Sequence, residues 1–155
     1  MKTKRTILSV IAFMLCLSGF AQRKQNVEET SIEVRELPFK GKMTYGYVVN
    51  EDGEHIRDGA FSLIVNDNYE FEANSYQQIK ATCDYRLNAN YQKGQLHGAM
   101  TLSASFKGNT RDYGNRTSEN STWSFSGNFV NGLPHGTFNI QHIINGNKLY
   151  LNATY

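Results

Sequence analysis

The chain carries two cysteines, two prolines and one tryptophan in 155 residues, and nowhere an uninterrupted apolar run long enough to span a bilayer. Scarce cysteine excludes a disulfide-built scaffold. Scarce proline beside 13 glycines and 16 asparagines points to many tight turns with positive φ. Charge of one sign is lacking too: 16 basic residues stand against 14 acidic ones, with no Lys/Arg stripe for a phosphate backbone to follow. Nucleic-acid binding is therefore not expected. At this length a single domain fits, and 9 Tyr with 9 Phe suit a packed core rather than a disordered chain.

Residues 1–21 have the pattern of a signal peptide. Lys2, Lys4 and Arg5 precede an apolar stretch from Ile7 to Leu17, broken only by Ser9, and Ser18-Gly19-Phe20-Ala21 supplies small residues before Gln22. Cleavage after Ala21 is expected, so the protein is read as exported: periplasmic, envelope-associated or secreted. Cys16 follows the bulky Leu15, whereas bacterial lipoprotein signals place a small residue before the modified cysteine. Without this segment 13 basic residues face 14 acidic ones, a net of −1, and Cys83 is the remaining thiol. Residues 22–38 are polar and charged and read as a tether or a weak edge strand, leaving residues 39–155 as the folded domain.

Beyond Pro38 the pattern is period-two alternation, the mark of strands with one buried face. In the clearest run Ile79, Ala81, Cys83, Tyr85, Leu87, Ala89 and Tyr91 alternate with Lys80, Thr82, Asp84, Arg86, Asn88 and Asn90. Comparable runs start at Met43, Phe61, Met100, Trp123, Phe138 and Leu149, and no helical stripe competes with them. The expected fold is all-β: a single-domain antiparallel hairpin meander of about eight strands. Asn66-Asp67-Asn68 and Asn145-Gly146 read as hairpin turns. Residues 107–120, polar and glycine-containing, read as a long loop suited to ligand contacts.

An internal repeat is the most specific feature. Residues 90–102, with Tyr91, Gly94, His97 and Gly98, align with residues 128–140, with Phe129, Gly132, His135 and Gly136, at a period of 38. A degenerate third copy ends in Asp58-Gly59, with Asp in place of His, 39 residues before His97-Gly98. Leu151-Asn152-Ala153 and Tyr155 echo Leu87-Asn88-Ala89 and Tyr91. Gly94 and Gly132 are expected to permit the turn and Gly98 and Gly136 to restart a strand. The aromatic before each turn is expected to pack across its hairpin against the apolar residue after it.

On these residues the chain resembles the MORN (membrane occupation and recognition nexus) repeat family, whose hairpins carry a Gly-x-aromatic-x-x-Gly-x-x-His-Gly core. Gly127 to Gly136 follows it throughout. The copy ending at His97-Gly98 has Ala89 where the first glycine belongs. The period is longer than the usual short repeat and closer to longer bacterial variants. The resemblance implies a row of β-hairpins serving as scaffold or binding surface, without a catalytic site.

His97 and His135 each hold one repeated turn position and are expected to bond nearby backbone through their rings, not to ligate a metal. No cofactor is expected. No nucleophile-elbow pattern Gly-x-Ser-x-Gly occurs, so a hydrolase is not supported. Cys83, on an apolar strand face, reads as a buried inert thiol. Tyr76 and Tyr113, in segments expected to be exposed, are the candidates for stacking against a ligand. The function expected is that of a non-enzymatic exported binding module for an envelope protein, a lipid surface or a glycan. The alternative is a small eight-stranded outer-membrane barrel, suggested by the strand count and the aromatic final residue and opposed by aromatics spread through the strands and by the short apparent strands.

Overall fold

The computed structural model describes residues 23–74 and 76–155, so the predicted signal peptide lies outside the described residues. The described chain forms one antiparallel sheet of nine strands in sequence order. These are β1 (Lys24–Val34), β2 (Leu37–Val49), β3 (His55–Asn74), β4 (Gln77–Gln92), β5 (Gln95–Leu96), β6 (Gly98–Asp112), β7 (Asn115–Val130), β8 (Leu133–Ile144) and β9 (Asn147–Thr154). The two-residue β5 pairs only with β4, beside the main path. The all-β hairpin meander is thus observed, with eight long strands.

Alternation dictates the faces. In β4 Ala81, Cys83 and Ala89 are buried while Lys80, Thr82, Asp84, Arg86, Asn88 and Asn90 are exposed. Antiparallel pairing carries that apolar row across the sheet, through Val65↔Tyr85, Cys83↔Phe106 and Leu102↔Phe125. Among the described residues no second layer covers it; the sheet covers itself by curling. Phe39 on β2 and Phe106 on β6 lie three strand spacings apart, about 14 Å on a flat sheet, yet their ring centroids are 6.3 Å apart, edge to face. The apolar face is therefore concave, Phe39 is fully buried, and an Arg35–Glu119 ion pair joins the β1–β2 turn to β7 across the trough. The curl does not close: among the described residues no ladder joins β1 to β9.

Three sequence expectations need correction. Residues 22–38 contain β1, an edge strand paired with β2 from Lys24↔Tyr47 to Val34↔Leu37, which realises the edge-strand alternative and not the tether. Residues 107–120 are not a long loop but the ends of β6 and β7, joined by the two-residue turn Tyr113-Gly114 with φ of 44° and 90°. Asn66-Asp67-Asn68 is not a turn, because β3 continues through it in register with β4. There the β2–β3 ladder ends, and the Asp67 carboxylate instead accepts the Lys40 main-chain N–H at 2.7 Å. Asn145-Gly146 does form its turn, with both residues at positive φ. The strands are also longer than the apolar runs implied, β3 reaching 20 residues.

Candidate functional site

The repeated bends are stacked along one end of the sheet. The turns Lys93-Gly94 and Asn131-Gly132 place both central residues at positive φ, the conformation a two-residue hairpin demands and glycine adopts without strain. Past each turn the second strand bulges: three residues, 98–100 or 136–138, face one, Ala89 or Gly127. The bulge glycines Gly98 and Gly136 have φ of 86° and 77°, and Gly59 in the degenerate copy has 103°.

The copies dock on one another by a rule that recurs three times. Gly59 pairs with Tyr91, Gly98 with Phe129, and Gly136 exchanges main-chain bonds of 3.1 and 3.0 Å with Tyr155. Each bulge glycine thus lies opposite the aromatic of the following unit, and the C-terminal echo Leu151–Tyr155 occupies the place of a fourth pre-turn strand. Turns are locked likewise: the Gly94 N–H donates to Arg57 O and the Gly132 N–H to Leu96 O, both at 2.8 Å.

Aromatic packing follows the stack more than the single hairpin. Phe129 does meet Phe138 within its own hairpin, at 5.3 Å and 88°. Tyr91 instead packs on Phe61 of the preceding unit at 5.9 Å, and Tyr155 on Phe138 at 5.4 Å. Arg57 lies 5.4 to 5.5 Å from the ring centres of Tyr45, Phe61 and Tyr91, a cation–π arrangement that ties two units together.

The two histidines and Asp58 share a position but not an environment. Asp58 forms a 3.4 Å ion pair with Arg23, His97 is half-buried and His135 exposed. Among the described residues neither histidine ring makes the expected backbone bond. It is the main-chain N–H of His97 that donates to Asn90 O at 2.9 Å, while its Nδ1 is buried without a partner. No cluster of three or more His, Cys, Asp or Glu able to hold a metal exists among the described residues. Cys83 is buried, and that burial, helped by Asp84 and Asp67, pushes its thiol above the ordinary value of 9.0. A reactive cysteine would be shifted the other way.

Tyr76 and Tyr113 are brought together at the opposite end of the sheet, where the Tyr113 N–H donates to Tyr76 O at 3.1 Å, and both are exposed. A contact that sequence reasoning missed lies on the concave face: Ser121 Oγ is 3.0 Å from His142 Nε2, and the His142 ring stacks on Trp123 at 3.5 Å. Ser121 is buried, and no described carboxylate bonds the imidazole, so the pair lacks the accessible nucleophile and the orienting group of a hydrolase triad. His142 and Trp123 were marked by alternation; Ser121 carried no signal.

Beyond this pair the concave face opens. Trp123, Leu149 and Leu151 are 44%, 67% and 58% exposed. β9 also presents its outer main-chain edge. Comparison with family models, curated proteins and solved structures finds no match for this chain.

Proposed function

We propose that this chain is an exported, non-catalytic β-repeat protein of MORN-like build, a scaffold that docks a partner protein of the envelope on its β7–β9 wing. The observation that carries the reading is the uncovered wing, where exposed Trp123, Leu149 and Leu151 adjoin the outer edge of β9. An extended partner segment added there gains main-chain bonds from the edge and burial for alternate apolar side chains. The stacked bends support the scaffold half of the proposal, since each unit rigidifies the next through equivalent bonds.

A photo-crosslinking residue at Tyr150 tests this in the native envelope, with the same residue at Glu51 as control. A discrete protein adduct at the first site only, lost with Leu149→Lys and Leu151→Lys, is the expected result. Adducts to lipid or glycan alone, or equal labelling at both sites, would refute the docking assignment. Release by alkaline carbonate is expected as well. Along β4, in the middle of the sheet, the convex row is polar and the concave row apolar, the reverse of what a barrel in lipid presents.

A further inference from the structure

On the convex face, at the end carrying Tyr76 and Tyr113, two arginines stand directly opposite each other. Arg111 on β6 pairs with Arg116 on β7, one residue outside the Asp112↔Asn115 pair that closes the turn. Cross-strand partners have Cβ atoms about 5 Å apart, and like charges so placed destabilise a sheet. The neighbouring carboxylates do not relieve them. Glu70 is held by Lys80 at 2.6 Å, and Glu72 accepts the Gln78 amide at 2.7 Å. Asp112 accepts from Gln77 at 3.2 Å. Neither arginine side chain bonds or ion-pairs with any described residue, and Arg111 Nε is buried without a partner.

The two guanidinium groups border a groove of about 390 Å³ whose other walls include Gln78, Lys80, Asn109 and Ser118, an amide and hydroxyl lining with no carboxylate. Two unpaired guanidinium forks beside such a groove match the donor pattern that a tetrahedral oxyanion accepts, whereas the Lys80 on its wall is already held by Glu70. We propose that the Arg111–Arg116 pair is a binding site for one phosphate or sulfate group. The anion supplies the negative charge that the sheet withholds, so binding and stability are coupled. Two arginines bind one such group and do not form the extended basic track of a nucleic-acid surface. The site lies on the opposite face from the docking wing and is independent of it.

The test titrates the whole exported protein with inorganic phosphate and with a sulfated monosaccharide, following the arginine Nε–Hε resonances and the melting temperature. Arg111→Gln and Arg116→Gln are the variants, with Lys148→Gln as a charge-matched control. Both resonances shift, phosphate raises the melting temperature of the wild type, and either arginine variant binds at least about tenfold more weakly. Without added anion those variants melt at or above the wild-type temperature at low salt, which separates lost binding from lost folding. Vesicles of phosphatidylcholine with and without phosphatidylglycerol identify the source. Retention only on anionic vesicles assigns a lipid phosphate, and response to the sulfated sugar alone a glycan sulfate. No response to any probe, or equal weakening by Lys148→Gln, would overturn the proposal.

Discussion

At the scale of single residues, a glycine is required here for two different reasons. Gly127 faces the bulge, and a Cβ there would lie 2.5 Å from Cδ1 and 3.0 Å from Cζ of the buried Phe138 ring, which has little room to move between Phe125, Phe129 and Tyr155. Gly127→Ala is expected to cost about 1–3 kcal/mol, the range for overpacking a tight core, measured by urea unfolding. Gly53, with φ of 83° and nothing within 4 Å of its missing Cβ, tests the backbone term alone, so Gly53→Ala is expected to cost about 1 kcal/mol. Equal losses would mean that the ring does not set the need for Gly127. Cys83 gives a prediction with a defined pH sign. Burial raises its folded pKa, so below the ordinary value of 9.0 both folded and unfolded chains keep the proton. Above it only the unfolded chain releases the proton, and stability falls with rising pH, by at most about 1.4 kcal/mol per pH unit for one group. Tyr85, raised chiefly by burial, adds to the decline above 10.0. With Cys16→Ser in place, Cys83 should label with iodoacetamide only on unfolding, and Cys83→Ala should flatten the decline nearest pH 9.

At the scale of elements, what the sequence made legible depended on burial of one face. β4 was readable residue by residue because its inner row is apolar from Ile79 to Tyr91 and its outer row polar throughout. The far ends of β6 and β7 were not. Gly108, Thr110, Thr117 and Glu119 occupy the inner row beyond the packed core, so both faces look polar and the ladder leaves no periodic trace. The same cause hid the β3–β4 ladder at Asn66-Asp67-Asn68, where asparagine and aspartate serve cross-strand and capping bonds, the Asn66–Asp84 pair among them, rather than a bend. The repeat was legible as a pattern, yet the pairing of each bulge glycine with the next unit's aromatic lay beyond it. That pairing predicts that Tyr155→Ala loosens β9 selectively: about 0.5–1.5 kcal/mol lost for the Phe138 contact, with faster amide exchange in β8–β9 and unchanged exchange in β3–β4. The β1–β2 turn shows the converse. Arg35 and Glu36 hold φ of 54° and 65° without glycine, and Arg35 is engaged by Glu119. Glu36→Gly should therefore stabilise the protein by about 1 kcal/mol, read by thermal unfolding.

At the scale of the whole molecule, a single sheet buries its apolar face by curling. The side chains meeting inside the trough are Phe39, Val65, Ala81, Cys83 and Phe106, while Lys80, Asp84, Arg86 and Lys107 face outward. The free ends of the curl are unlike each other. β1 carries Glu28, Glu29 and Glu33 along a charged edge, the kind that discourages strand addition, whereas β9 offers Leu149, Tyr150 and Leu151 with one charge, Lys148. The asymmetry assigns any strand addition to the β9 end. If that edge is what makes the molecule adhesive, Tyr150→Pro should abolish adduct formation from a photo-crosslinker at Leu149, because proline removes a main-chain donor from the edge. Ala153→Lys, which changes charge and leaves the edge backbone able to bond, should weaken it only in part. Proteins carrying either substitution should unfold within about 1 kcal/mol of the wild type in urea, since β9 contributes a single ladder to the sheet. Undiminished adducts in the proline variant would place the contact on the side chains of the concave face and remove the edge from the docking surface.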